Sequence, residues 1–145
     1  MSASTTGHDV IRVDAAPKPV GAYPHARRVG ALLFLSGIGP REPGTDKIPG
    51  NVLDAGGKLI GHDIAAQCRQ VFANVRAVLE ASGARFEDLV DVTVYLTDMA
   101  GDFATYNRLY AEAFAGVDAC RTTVEVNALP TAIAIELKCV AALAS

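Results

Sequence analysis

A helical repeat of apolar residues is the clearest pattern in the chain, and it lies between Asp63 and Gly83. Apolar side chains recur there at intervals of three and four residues, as the buried face of a helix requires. Asp63 is available as the N-cap, and Gly83 is placed to end the helix. A second helix is predicted to start near Asp102, because the residues after it repeat the same spacing. The two buried stripes comprise Ile64, Cys68, Val71, Phe72, Val75, Val78 and Leu79 in the first helix and Phe103, Tyr106, Tyr110, Ala113 and Phe114 in the second.

Short apolar or alternating segments predict strands around these helices. A turn at Gly30-Ala31 joins two of them into a hairpin, and a smaller hairpin is predicted around Gly56-Gly57. The second hairpin lies in a connection rich in Gly and Pro, from Ile38 to Gly61, which is either functional or a variable surface insertion. The first four predicted strands are Val10–Val13, Arg27–Val29, Leu32–Ser36 and Asp91–Thr97.

Two more strands are predicted in the segment CRTTVEVNALPTAIAIELK, residues 120–138. The order strand, hairpin, helix, strand, helix, strand, strand predicts an α+β domain with two helices on one face of a mixed sheet. The last strand places Ile135, Leu137 and Cys139 on one side, yet Val140 and Ala142 make its other side apolar as well. A solvated sheet face is normally polar, so we expect the second face to be buried in an oligomer.

Length, charge and cysteine content narrow the class of protein. The 145 residues fit one globular domain, residues 10–145, after a loose tail at 1–9. No apolar run reaches the length of a membrane span and no signal peptide is evident, so a cytoplasmic location is expected. The net charge of −3 and the scattered basic residues argue against nucleic-acid binding. Cys68, Cys120 and Cys139 are odd in number and widely spaced, so we expect reduced thiols and no metal site.

Two charged residues lie inside the predicted strands of residues 120–138. Arg121 falls in line with Thr123 and Glu125, and Glu136 lies among aliphatic positions of the last strand. Arg121 is either a structural ion-pair partner of Glu125 or Glu136, or a fork that grips a substrate carboxylate. Glu136 is either an ion-pair partner or a group that holds or deprotonates a water. Possible neighbours of this pair are Tyr23, His25, Arg41 and Thr123.

Five segments together resemble the RidA family (reactive intermediate deaminase, also called YjgF/YER057c/UK114). They are GAYPHA, LLFLSG, QCRQVFANVRAVLEASGARFEDLVDVTVYLTDM, DFATYNRLYAEAF and RTTVEVNALPTAIAIELKCVA, and the resemblance runs from about Pro19 to Leu143. It implies a chorismate-mutase-like fold and a homotrimer whose sheets form a central barrel. Three active sites would lie in the clefts between subunits, and their hydrolytic chemistry would need no cofactor. Whether trimers pair into hexamers stays open.

The resemblance also implies roles for single residues. The family's arginine that grips the substrate carboxylate corresponds to Arg121, and its glutamate that places the attacking water corresponds to Glu136. Tyr23 matches a tyrosine that lines the pocket. His25 stands where a glutamine is usual, and would either shuttle a proton or cap a turn. Thr123 stands where a cysteine is common, which removes a thiol and leaves hydrolysis feasible.

PHARR, SGIGPR and the longer Gly-rich insertion after them resemble the 2-aminomuconate deaminase subgroup of this family. Its substrate is a dicarboxylate, which calls for a second cation. Arg41 is the candidate, against the alternative of a solvated loop residue. The expected reaction converts 2-aminomuconate to 4-oxalocrotonate and ammonia. A general 2-iminobutanoate/2-iminopropanoate deaminase and a non-enzymatic ligand-binding or RNA-directed protein stay open as alternatives.

Overall fold

Eight strands and two helices make up the fold in the computed structural model, which describes residues 8–144. A short 3-10 turn, Phe86–Asp88, precedes the sixth strand. The elements in chain order are β1 (His8–Ile11), β2 (Ala26–Val29), β3 (Leu32–Leu35), β4 (Asn51–Leu53), β5 (Leu59–His62), α1 (Ile64–Ala81), β6 (Leu89–Leu96), α2 (Met99–Ala113), β7 (Cys120–Glu125) and β8 (Ile135–Ala142).

Six of the strands form one mixed sheet in the order β1-β2-β3-β8-β6-β7, and β4 and β5 form a separate hairpin. All neighbours in the large sheet are antiparallel except β6 and β7. Those two strands run parallel because α2 carries the chain back across the sheet between them. The predicted α+β class, the mixed sheet and both hairpins are confirmed.

Both helices pack on one face of the sheet and create the core there. Alternate residues of β8 point into it, and Ile135, Leu137, Cys139 and Ala141 are fully buried. The first helix begins after Asp63, whose carboxylate accepts hydrogen bonds from the Ala65 and Ala66 amides. Gly83 follows the helix in the left-handed conformation, at φ +77°. Both caps are as predicted.

The second helix begins earlier than its pattern predicts. It starts at Met99, and its N-cap is Asp98, whose carboxylate accepts from the Gly101 amide at 3.1 Å. Asp102 lies in the first turn and points inward, where its carboxylate meets His62 Nε2 at 2.7 Å. The predicted start near Asp102 was therefore wrong, because the Met-Ala-Gly sequence of the first turn carries no apolar repeat.

The strand boundaries differ from the predicted ones by a few residues. The first strand starts at His8, so the last two residues of the predicted tail pair with Arg28 and Val29. Residues 1–7 of that tail lie outside the described residues. The sixth strand starts at Leu89 rather than Asp91, with a bulge between these two residues. No helix in the described range is long and apolar enough to cross a membrane.

The sheet face away from the helices carries a row of uncovered apolar side chains. Phe34 pairs across the strands with Arg27 and Val140, and Leu32 pairs with Val29 and Ala142. The large exposed side chains of this face are Val10, Val29, Leu32, Phe34 and Val124. Such a patch marks an interaction surface in a small protein. It fits the expected oligomer, which stays a prediction.

Candidate active site

A cleft opens where the start of β8 meets the segment after β3. Its base is a pair of backbone hydrogen bonds, from Ile38 N to Leu137 O at 2.8 Å and from Leu137 N to Ile38 O at 2.9 Å. This bridge brings the two glycines of the Ser-Gly-Ile-Gly segment against the first residues of strand β8. The cleft is lined by Val20, Tyr23, Gly37, Gly39, Arg41, Pro130, Thr131, Ile133 and Glu136.

Glu136 supplies the carboxylate of this cleft. Its side chain is half-buried, and burial raises the pKa of its carboxyl group above the ordinary value for glutamate. The carboxylate makes no hydrogen bond or ion pair with any residue from 8 to 144. The Gly37 backbone lies so close that an added Cβ would stand 2.8 Å from Glu136 Oε2. A buried carboxylate without a partner costs stability, so a ligand or a water is its natural partner.

Arg41 brings a positive charge to the same cleft. Its guanidinium donates to Asp46 Oδ1 at 2.8 Å and to the Lys18 carbonyl at 2.6 Å, and its side chain is 17% exposed. The two contacts fix the planar group at the wall and leave other N–H groups available, because a guanidinium has five donors. The Arg41 side chain is therefore fixed at the cleft wall and is not a solvated loop side chain.

Tyr23 and His25 differ in their availability to a ligand. The Tyr23 hydroxyl accepts from the Val20 amide at 3.2 Å, and its ring lines the cleft. His25 is 9% exposed and uses both ring nitrogens on the backbone: Nδ1 accepts from Val13 N at 3.0 Å, and Nε2 donates to Pro17 O at 2.7 Å. The ring also lines a small pocket of about 40 Å³ that adjoins the cleft and shares four of its lining residues. His25 therefore has no polar atom left to contact a substrate, and its visible role is to hold the loop before β2.

Arg121 and Thr123 lie on the other face of the sheet, beneath α2. Arg121 donates to Asn107 Oδ1 at 2.9 Å, and its guanidinium lies over the Tyr110 ring at 4.7 Å. Thr123 Oγ1 and Tyr106 OH form a hydrogen bond of 2.8 Å. Burial raises the pKa of the Tyr110 hydroxyl to about 12, so Arg121 faces a neutral ring. This is a cation–π arrangement, and a guanidinium has five donors, more than the contact with Asn107 uses.

The ion pair considered for Arg121 is absent from the described chain. Glu125 instead accepts from the Met99 amide at 2.8 Å, at the start of α2. Arg121 pairs in register with Val92, which pairs with Cys139, and both partners are fully buried beneath the helices. Glu136 is three residues from Cys139 along β8 and so points to the opposite face. Within one chain the predicted ion pair of Arg121 with either glutamate was therefore wrong, and a pair across a subunit contact stays a prediction.

One chain thus brings together Tyr23, Arg41 and Glu136 but leaves Arg121 and Thr123 on the far face. Several cleft residues were not singled out from the sequence. The glycines of the Ser-Gly-Ile-Gly segment were a usable signal, since closely spaced glycines often mark a close backbone approach. The sequence around Thr131 gave no such signal, although in the structure its φ of +64° is unusual for a β-branched residue. Among residues 8–144, no three His, Cys, Asp or Glu side chains lie close enough to hold a metal ion.

The sequence model of the endoribonuclease L-PSP family, another name for the RidA/YjgF family, matches residues 13–143. This chain belongs to the RidA family. A RutC family protein of Pyrococcus horikoshii is 41% identical over 133 residues, which cover 92% of this chain and 96% of that protein. The 2-iminobutanoate/2-iminopropanoate deaminase of Escherichia coli is 34% identical over 134 residues, covering 90% of this chain and 94% of the relative.

The solved structures of RidA proteins share the fold. The crystal structure of Escherichia coli TdcF with bound serine superimposes with a TM-score of 0.80 at 30% identity, over 94% of this chain and 99% of that one. The α+β fold predicted from the RidA resemblance is therefore confirmed. Some RidA relatives carry names as imine deaminases, so deaminase chemistry occurs in this family.

Proposed function

We propose that this RidA protein is a cofactor-independent hydrolytic deaminase, acting in the cytoplasm on the enamine or imine of a small carboxylic acid. The observation that carries the proposal is the half-buried Glu136, which has no partner among the described residues and lies in a cleft beside Arg41. A carboxylate kept in this state is suited to hold and deprotonate a water. The deaminase name of the Escherichia coli relative supports the same reaction class.

In the proposed reaction the enamine first tautomerises to the imine. Arg121 holds the carboxylate next to the reacting carbon, and its planar fork suits a bidentate contact. Glu136 takes a proton from water as the oxygen adds to C2 and passes it to the imine nitrogen, which gives a carbinolamine. Glu136 then carries the proton of the C2 hydroxyl to the nitrogen, the C2–N bond breaks to release ammonia, and the C2 oxygen becomes the carbonyl of a 2-oxo acid.

The proposal requires at least two copies of the chain, because Arg121 and Glu136 point to opposite faces of one sheet. Arg121 lies on β7, the edge strand of the six-stranded sheet, where a second copy can come alongside. The uncovered apolar row that includes Phe34 and Leu32 would be buried in the same assembly. A homotrimer with a site in each subunit cleft, as the family resemblance implies, meets both needs.

The finer proposal is that the substrate is 2-aminomuconate and the product 4-oxalocrotonate. Arg41 supports it, since its guanidinium is held in the cleft that contains Glu136 and would take a second carboxylate. A general 2-iminobutanoate/2-iminopropanoate deaminase is the alternative, and the name of the Escherichia coli relative favours it. That activity would not need Arg41.

Ammonia release from both substrates, each generated in situ by a coupled enzyme, tests the proposal. Wild-type protein should release ammonia, and Glu136→Gln should lose most of the turnover while still binding a carboxylate ligand. A preference for 2-aminomuconate that disappears in Arg41→Ala would support the finer proposal. No release from either substrate, together with unchanged ligand affinity in Glu136→Gln, would leave a binding protein and refute the deaminase.

A further inference from the structure

Two amide side chains interrupt the apolar face of α1, and both are buried. Gln67 is 0% and Asn74 is 2% exposed, and they lie seven residues, or two turns, apart on the same stripe. Their neighbours on that face include Cys68, Val71 and Val75, all fully buried. A buried amide is costly unless its hydrogen bonds are made, so both side chains require polar partners.

The side-chain amide of Asn74 binds the backbone of one wall of the cleft. Its Nδ2 donates to Gly39 O at 2.9 Å and to Arg41 O at 2.8 Å, while its Oδ1 accepts from Gln70 at 3.0 Å. Gly39 and Arg41 both line the cleft. The helix therefore fixes the backbone from which the Arg41 guanidinium extends.

Gln67 holds the opposite wall. Its Oε1 accepts from the Ala134 amide at 2.8 Å, and its Nε2 donates to Asn51 Oδ1 at 2.9 Å. Asn51 in turn donates from Nδ2 to the Ala132 carbonyl at 2.9 Å. These contacts alternate with the cleft-lining residues Thr131 and Ile133, and they fix the backbone just ahead of β8.

That wall needs to be held, because Thr131 is in the left-handed region at φ +64°. A β-branched residue is strained there and persists only where its surroundings impose the conformation. Three hydrogen bonds follow Thr131 directly: Asn51 to Ala132, the Ala134 amide to Gln67, and the Thr97 amide to the Ala134 carbonyl at 3.2 Å. Loss of the two side-chain contacts would leave only the backbone hydrogen bond and so weaken the restraint on Thr131.

We propose that Gln67 and Asn74 are positioning residues, which clamp the two walls of the cleft at the spacing that lets Glu136 and Arg41 reach one ligand. The inference rests on the proposed deaminase function for its kinetic consequences. Asn74 acts on the Arg41 wall and so governs recognition of a second carboxylate. Gln67, acting through Asn51, governs the wall beside Glu136 and so governs turnover.

The kinetic test compares Asn74→Leu, Gln67→Leu and the control Val71→Ala. Asn74→Leu should raise KM for 2-aminomuconate about 10-fold or more and leave KM for 2-iminobutanoate nearly unchanged, whereas Gln67→Leu should lower kcat for both by about 10- to 100-fold. Val71→Ala removes core packing from the same helix without removing a hydrogen bond to either wall. If the loss of activity were proportional to the fall in Tm in all three variants, the proposed positioning role would be refuted.

A second readout needs no substrate and survives failure of the deaminase proposal. Asn51→Ala cuts the link to Ala132 and removes the acceptor of Gln67 Nε2, but it leaves the apolar residues of the helix core in place, so it remains usable even where Gln67→Leu does not fold. The Glu136 carboxyl group, followed by carbon NMR across a pH titration, should titrate at lower pH in Asn51→Ala, because the loosened wall admits water. The ionisable neighbours of Glu136 are Tyr23, Arg41, Tyr95 and Lys138, and all four are unchanged in both variants. An unchanged Glu136 titration in Asn51→Ala, equal to that of Val71→Ala, would overturn the inference.

Discussion

Replacement of Gly37 by alanine tests the catalytic role of the Glu136 carboxylate without altering its chemistry. The added Cβ would stand 2.8 Å from Glu136 Oε2, and ordinary contact begins at 3.4 Å. The carboxylate oxygen must therefore retreat by about 0.6 Å, since the repulsive wall of the van der Waals potential is steep. Gly37 is not in the left-handed region, so alanine fits its backbone.

A displacement of this size should reduce kcat by about 10- to 100-fold, because catalysis by a positioned base depends on sub-ångström placement. Stability should change little, since the group that must move is the end of a flexible side chain. The assay is ammonia release at saturating substrate, with Tm measured on the same preparation. Gly61→Ala is the matched control, because its new Cβ would meet no atom closer than 4.0 Å. Equal kcat values for the two variants would refute the assignment of Glu136 as the group that places the water.

Three further predictions concern the other charged groups. Arg121→Ala should lose about 2 to 5 kcal/mol of transition-state binding and stay folded, and Arg121→Lys should not restore kcat/KM, because a point charge cannot replace the fork. Unfolding or dissociation of Arg121→Ala would instead indicate a structural role. Glu136→Gln should raise Tm at pH 7 to 8, because burial raises the folded-state pKa of Glu136, which means that its ionised form destabilises the folded state. This gain in Tm should vanish below about pH 4, where Glu136 is protonated in both the folded and the unfolded state. A Tm difference that persists at pH 3 would contradict that origin. His62→Ala should lower the free energy of unfolding by about 1 to 3 kcal/mol, measured in urea, because the buried Asp102 carboxylate loses its 2.7 Å partner; an unchanged urea midpoint would show that this pair adds no net stability.

Periodicity was enough to predict most of the fold. The helix from Ile64 to Ala81 has an apolar face, an Asp cap and a terminal glycine, and all three signals agree. The start of α2 was misplaced because its first turn carries no apolar repeat, so the helical pattern begins only at Phe103. Asp98 and Asp102 have different roles in the structure. Asp98 caps the helix, and Asp102 contacts His62 from the first turn.

The candidate site was predictable as a set of residue types but not as an arrangement. Arg121 and Glu136 stood out because charged residues are unusual in apolar strands. Their opposite faces depend on the register of β7 and β8 through β6, which no local pattern reveals. The contacts of Gln67 with Asn51 and Ala134 link parts of the chain that are distant in sequence, so the buried amides looked like ordinary helix residues.

The central claim is that each active site combines Arg121 of one copy with Glu136 of another. Arg121→Ala and Glu136→Gln, each inactive alone, can be unfolded together in equal amounts and refolded into mixed oligomers. Random mixing should restore about a quarter of the wild-type ammonia release, because that share of the sites joins an intact Arg121 to an intact Glu136. No recovery of activity, in mixed oligomers whose formation is verified by native mass spectrometry, would contradict a site shared between copies.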